Sequence, residues 1–165
     1  MIYKIRKLGG LEGCNKLIEL RLRQNLISKI ENLDDLTKLE ELELYDNKIR
    51  KIEGLSDLQN LRVLDISYNK ITEIANLNFL TSLARLFLVS NRIREIKNLE
   101  DLKNLEILDL GANKIRKIAN LDSLTNLSEL HLAKNRIEKI EGLSHLKELR
   151  ILVLSANFIT TIENI

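Results

Sequence analysis

Leucine and isoleucine fall at fixed places along this chain, and polar residues fill the places between them. The stretch Leu42-Glu-Leu-Tyr-Asp-Asn47-Lys-Ile-Arg-Lys-Ile-Glu-Gly-Leu55 reads LxLxxNxIxxIxxL. The same frame recurs around Asn25, Asn47, Asn69, Asn91, Asn113, Asn135 and Asn157, always 22 residues on, with no insertion or deletion. In the LxL piece apolar and polar positions alternate, which predicts one short half-buried strand per repeat. These strands fall near 20–22, 42–44, 64–66, 86–88, 108–110, 130–132 and 152–154. About 18 residues separate one strand from the next, enough for a crossover, so the strands must run parallel. At about 4.8 Å per strand, the set spans roughly 29 Å. The asparagine stands where the chain turns inward, and its amide can satisfy turn backbone groups that burial would otherwise leave unpaired.

The return path has its own spacing. Leu33, Leu36, Leu39 and Leu42 are three apart, as are Leu55, Leu58, Leu61 and Leu64, and Leu99, Leu102, Leu105 and Leu108. A strict spacing of three suits the 3₁₀ helix better than the 3.6 of an α-helix. Only glycine or asparagine precedes each run: Gly10, Asn32, Gly54, Asn76, Asn98, Asn120, Gly142 and Asn164. Those two residues enter the left-handed region most cheaply, so a turn with positive φ is expected there. Asp34, Ser56, Asn78, Asp122 and Ser144 follow, and they suit a helix cap.

A fixed period of about 20–29 residues with this leucine pattern is the signature of a leucine-rich repeat solenoid. The expected fold class is therefore α/β: a right-handed leucine-rich repeat solenoid with short parallel concave strands and 3₁₀ or irregular helical turns on the convex side. Residues 1–165 form a single domain on this reading. Residues 1–11 form a partial N-terminal repeat, with Tyr3 in the asparagine slot and Ile5, Leu8 and Leu11 in frame. Ile165 occupies the slot of Leu143 one repeat earlier, and no C-terminal cap is expected to follow, as in a chain cut from a longer one.

Composition narrows the functional classes. The chain is 44% hydrophobic but only 4% aromatic, so leucine and isoleucine build the core. Its 26 basic and 24 acidic residues leave a formal charge of +2, which argues against nucleic acid or a membrane as partner of the whole chain. No apolar run approaches the roughly 18 residues of a membrane span, and Met1-Ile-Tyr-Lys-Ile-Arg-Lys has no apolar signal core. The single cysteine, Cys14, excludes an internal disulfide and falls in the frame of Leu36 and Leu58, which predicts a small core residue. Without cysteine-rich caps an intracellular protein is expected. No His/Cys cluster has metal spacing and no glycine-rich phosphate loop exists. His131 and His145 are expected on different faces. Asp65 and Asp109 are two repeats apart, about 10 Å by strand spacing, too far for a tight carboxylate pair. An enzyme is not expected, and neither is a cofactor or a metal.

The displayed positions carry the remaining information. Arg21, Glu43, Asp65, Phe87, Asp109, His131 and Val153 form the central concave column. Beside it run Glu19, Glu41, Val63, Arg85, Ile107, Glu129 and Ile151 on one side, and Arg23, Tyr45, Ser67, Val89, Gly111, Ala133 and Ser155 on the other. Acids around exposed aliphatic and aromatic residues resemble a protein-binding surface, with Glu43, Asp65, Phe87, Asp109, His131 and Val153 as contact residues and Phe87 as anchor. Another edge carries a basic stripe of Lys48, Lys70, Arg92, Lys114 and Arg136, with Arg50, Arg94 and Arg116 two residues on. Interleaved acids and the lack of an aromatic platform favour a solvated edge over a nucleic-acid site.

The frame, together with Leu22-Arg-Gln-Asn-Leu-Ile27, Leu44-Tyr-Asp-Asn47, Leu64-Asp-Ile-Ser67 and Leu86-Phe-Leu-Val89, resembles the leucine-rich repeat regulatory subunit of protein phosphatase 1. The resemblance covers nearly the whole chain and extends to outward residues that the fold does not dictate. It implies a non-enzymatic protein of nucleus and cytoplasm that clasps the phosphatase catalytic subunit through its concave face. Carried over by position, the family's contacts fall on Asp65, Phe87, Asp109 and His131. Asp65 and Phe87 match its residue types, Asp109 is shorter than its acid, and His131 replaces an aromatic. The family chain is longer, with about a dozen repeats and a C-terminal cap. Two other readings use the same frame: a cytoskeletal or axonemal adaptor, and a nucleic-acid-associated scaffold using the basic edge.

Overall fold

The computed structural model describes residues 4–164, which leaves Tyr3 and Ile165 outside the described residues. Seven three-residue strands form one parallel sheet in chain order. They are β1 (Glu19–Arg21), β2 (Glu41–Glu43), β3 (Val63–Asp65), β4 (Arg85–Phe87), β5 (Ile107–Asp109), β6 (Glu129–His131) and β7 (Ile151–Val153). Each strand begins one residue before its predicted position. The register pairs every residue with the one a repeat later, as in Leu64 beside Leu86, so columns in the sequence are columns in space. Parallel bonding continues past the strand ends, with Leu44 N–H donating to Asp65 O at 2.7 Å and Asp46 N–H to Ser67 O at 3.0 Å. The leucines and isoleucines of the frame form one continuous buried cluster. Each repeat therefore buries its apolar side only by stacking on its neighbours.

The asparagines after the strands tie those neighbours together. All seven accept a backbone N–H from 20 residues earlier through Oδ1, from Asn25 on Ile5 to Asn157 on Ile137. From Asn47 onward Nδ2 also donates to a carbonyl of the preceding repeat, as Asn69 does to Leu44 O at 3.0 Å.

The 3₁₀ or irregular helical turns expected on the convex side are not confirmed. No helix forms among the described residues. Instead two turns share a leucine: Leu36 N–H donates to Leu33 O, and Leu39 N–H to Leu36 O, both at 2.9 Å. The turns do not merge into a helix, since no such bond joins the Thr37 or Lys38 amide between them, and the next amide, Glu40 N–H, donates instead to Ile18 O of the previous repeat at 2.8 Å. Lateral stacking thus outcompetes helix propagation. Asp34, Ser56, Asn78, Asp122 and Ser144 consequently cap no helix, and all five are exposed. Cys14 is exposed too, unlike Leu36 and Leu58 in its frame, because it lies in the first full repeat, at the edge of the core.

The glycine and asparagine positions before each leucine run all have positive φ, from 56° at Asn76 to 75° at Gly10. The asparagines do more than tolerate that backbone. Asn32, Asn76, Asn98, Asn120 and Asn164 each donate Nδ2 to a carbonyl 24 residues earlier, at 2.7–3.0 Å. A second asparagine ladder therefore runs along the solenoid, seven residues after the first in each repeat.

Candidate functional site: the concave sheet

The sheet register sets Asp65 beside Phe87, Phe87 beside Asp109, Asp109 beside His131, and His131 beside Val153. All five side chains are half-buried, so the face is semi-apolar with carboxylates set on either side of one aromatic ring. The carboxylates are held by their own turns. Asp65 Oδ1 accepts Ser67 N–H at 3.0 Å, and Asp109 Oδ1 accepts Gly111 N–H at 2.9 Å. Gly111 leaves the room for this, since a Cβ there would stand 3.1 Å from Asp109 Oδ1. His131 Nε2 lies 3.1 Å from Glu129 Oε2.

Burial pushes the Asp109 carboxyl above its ordinary range, with Asp65 adding to the effect, while the Gly111 amide and His131 pull it back. A carboxyl with a raised folded-state value holds its proton more tightly folded than unfolded. Stability therefore rises as pH falls through that value, and the ionised form is a cost at neutral pH. Asp109→Asn keeps an oxygen for the Gly111 amide and removes the charge. We expect a higher unfolding midpoint than wild type at pH 7, with the difference shrinking as pH falls and Asp109 takes up its proton. Thermal unfolding of both proteins across that range checks it.

Glu43 behaves differently from Asp65 and Asp109. It is only 8% exposed, and its Oε1 pairs with Arg23 Nη2. Arg21 reaches Glu43 Oε2 at 3.7 Å, Glu41 at 3.1 Å and Glu19 at 3.0 Å. Glu43 is the main reason that the Arg23 guanidinium is pushed further up. Arg23 also lies 6.0 Å from the centre of the Tyr45 ring, and Tyr45 packs on Tyr68 with centroids 4.8 Å apart. The acid expected to face a partner thus has its charge engaged within the sheet. The column from Asp65 to Val153 is the part left to display. Tyr68, half exposed, had no place in the sequence argument, because its position in the frame carries no residue preference.

Beside the basic stripe, Lys97 pairs with Glu73 at 2.8 Å and Lys117 with Glu141 at 3.5 Å, while among the described residues no cation of the stripe itself makes an ion pair. His145, on a different face from His131, pairs with Asp122 at 3.0 Å. Among the described residues no cluster of His, Cys, Asp and Glu could hold a metal ion, and no helix is long and apolar enough to cross a membrane.

The family model described as leucine-rich repeats (2 copies) matches residues 15–57, 37–79, 81–123 and 125–165. No curated protein matches the chain. Among solved structures, internalin C2 of Listeria monocytogenes is 32% identical with a TM-score of 0.90, covering 96% of this chain and 70% of its own. An internalin F of the same organism is also 32% identical, with a TM-score of 0.88, covering 96% of this chain and 47% of its own. A leucine-rich repeat protein of Leptospira interrogans is 27% identical with a TM-score of 0.72, covering 90% of this chain and 45% of its own.

Proposed function

The chain belongs to the leucine-rich repeat family, and from that premise we propose that it is a non-enzymatic scaffold that binds a protein on its concave sheet, the partner being the catalytic subunit of protein phosphatase 1. One observation carries the reading: Asp65, Phe87 and Asp109 stand side by side in register, an aromatic ring between two turn-held carboxylates. The ring supplies apolar area for a pocket on the partner, and the acids supply complementarity to basic residues around it. His131 and Val153 extend the same column toward the last strand. The resemblance of the displayed residues to the phosphatase regulatory subunit supports the choice of partner. On that reading the protein works in nucleus and cytoplasm.

Calorimetric titration with purified phosphatase catalytic subunit, at two salt concentrations, tests the proposal. We expect micromolar or tighter binding. Phe87→Ala combined with Asp65→Ala should weaken it at least about tenfold, since truncating a central anchor costs more than 1–2 kcal/mol. Unchanged affinity in a folded double variant would sink the site assignment. No binding by the folded wild-type chain would remove the phosphatase as partner.

A further inference from the structure

The edge that carries the basic residues is not uniform. Between the fourth and sixth repeats it holds an open groove of about 860 Å³. Arg94, Lys114, Arg116, Lys117 and Arg136 line it, against the single acid Glu95. Five cations and one acid leave a local formal charge of +4 on a chain whose total is +2. Among the described residues, Lys117 is the one of these cations with an ion pair, to Glu141 at 3.5 Å. Ala119 also lines the groove. One repeat to either side, its slot holds Lys97 and Glu141, so a short side chain opens space between two repeats whose own side chains there are long and charged.

We propose that this groove binds a compact ligand bearing several phosphate groups, gripped by Arg94, Arg116 and Arg136 with Lys114 and Lys117. Guanidinium groups present forked donors that match phosphate oxygens, and the two ammonium groups add point charge. Neighbouring repeats stand about 4.8 Å apart at the sheet, so cations of three successive repeats can reach one small polyanion. A nucleic-acid strand fits less well. No aromatic residue lines the groove, and without a stacking platform a strand would gain nothing from its bases. The site is separate from the concave column, so its fate does not depend on the phosphatase reading.

Titration of sodium tripolyphosphate into the chain at low salt, followed by calorimetry, tests this. One site per chain is expected. Arg94→Glu with Arg116→Glu should weaken it at least about tenfold through reversed charge. Ala119→Gln changes no charge but fills the groove, and it should weaken binding about fivefold or more by excluding the ligand. Lys48→Glu with Arg50→Glu makes the same change of net charge outside the groove and should cost less than about twofold, as screened surface charges do. Three results would each overturn the proposal: no binding by the folded chain, Ala119→Gln or the Arg94/Arg116 pair binding like wild type, or the Lys48/Arg50 pair losing as much as the groove pair. Equal or tighter binding of an oligothymidylate of the same charge would also overturn it, in favour of a nucleic-acid surface.

Discussion

Asn113→Leu should destabilise the solenoid by about 3–5 kcal/mol and divide its unfolding into two phases. Asn113 Oδ1 accepts the Ile93 amide at 2.9 Å, and Nδ2 donates to the carbonyls of Leu88, Leu110 and Gly111 at 2.9, 3.0 and 3.2 Å. Leucine matches the volume but orphans the Ile93 amide, which costs about 1–3 kcal/mol, and each bond lost to a carbonyl costs about 0.5–1.5 kcal/mol more. Leu88 O, Leu110 O and Gly111 O each keep one other donor: Asn91 Nδ2, Asn135 Nδ2 and Ser90 N–H. Two of the bonds, to Ile93 and Leu88, cross to the preceding repeat. The loss therefore falls on one interface of a nearly one-dimensional stack, whose stability is a sum of repeat and interface terms. Weakening an interior interface uncouples the two halves, so a single urea transition should become two, or broaden. Asn113→Asp should do no better. It keeps an acceptor for Ile93 but sets a second oxygen against three carbonyls. Asn25 is the control: it is half-buried and donates only to carbonyls of its own turn, Leu22 and Arg23, so Asn25→Leu should cost about 1 kcal/mol. If the two leucine variants unfold alike, the ladder is not what couples the repeats.

What could be read from the sequence follows from where one residue type alone satisfies the backbone. The ladder asparagines, the glycine or asparagine before each leucine run and the inward LxL pair are restricted positions, and the frame exposes them. Positions governed by competition were not legible. The leucines three apart do close turns, but the Glu40 amide bonds across to Ile18 rather than onward, and no spacing rule weighs that choice. A second row of positive φ, at Gln24, Asp46, Tyr68, Ser90, Ala112, Lys134 and Ala156, left no trace because those residues share no type. Each adopts a backbone that costs a non-glycine residue about 1–2 kcal/mol, and from Gln24 to Lys134 the parallel bond made by its amide, such as Tyr68 N–H to Val89 O at 2.7 Å, offsets that strain. At the site, the column itself was legible because register follows from the repeat. The pairing of Glu43 was not, since register puts Arg21 beside it but which carboxylate the Arg21 and Arg23 side chains reach is a matter of side-chain geometry. The groove beside Ala119 was hidden for a similar reason. A stripe of cations reads alike whether its neighbours fill the space between or leave it open.

Gly54→Ala is the second large effect expected, and its comparison with Gly54→Asn separates two causes. Gly54 has φ of 65°, and a Cβ built there would stand 2.5 Å from Ile30 O, a backbone atom that cannot swing away. Positive φ and the overlap together should cost alanine about 2–4 kcal/mol. Asparagine brings the same Cβ but tolerates the left-handed region better. It also brings an amide to the place where Asn76, one repeat on, donates Nδ2 to Ile52 O at 2.8 Å. The atom equivalent to Ile52 O is Ile30 O, the same oxygen that opposes the Cβ. A shift of a few tenths of an ångström would turn the overlap into the bond that Asn76 already makes. Gly54→Asn should therefore lose about 1 kcal/mol less than Gly54→Ala, the usual net worth of one such bond. Urea unfolding of the three proteins measures the difference. Equal losses would mean that packing between the repeats at Ile30 cannot give way, and that the second ladder adds nothing where it is not already built.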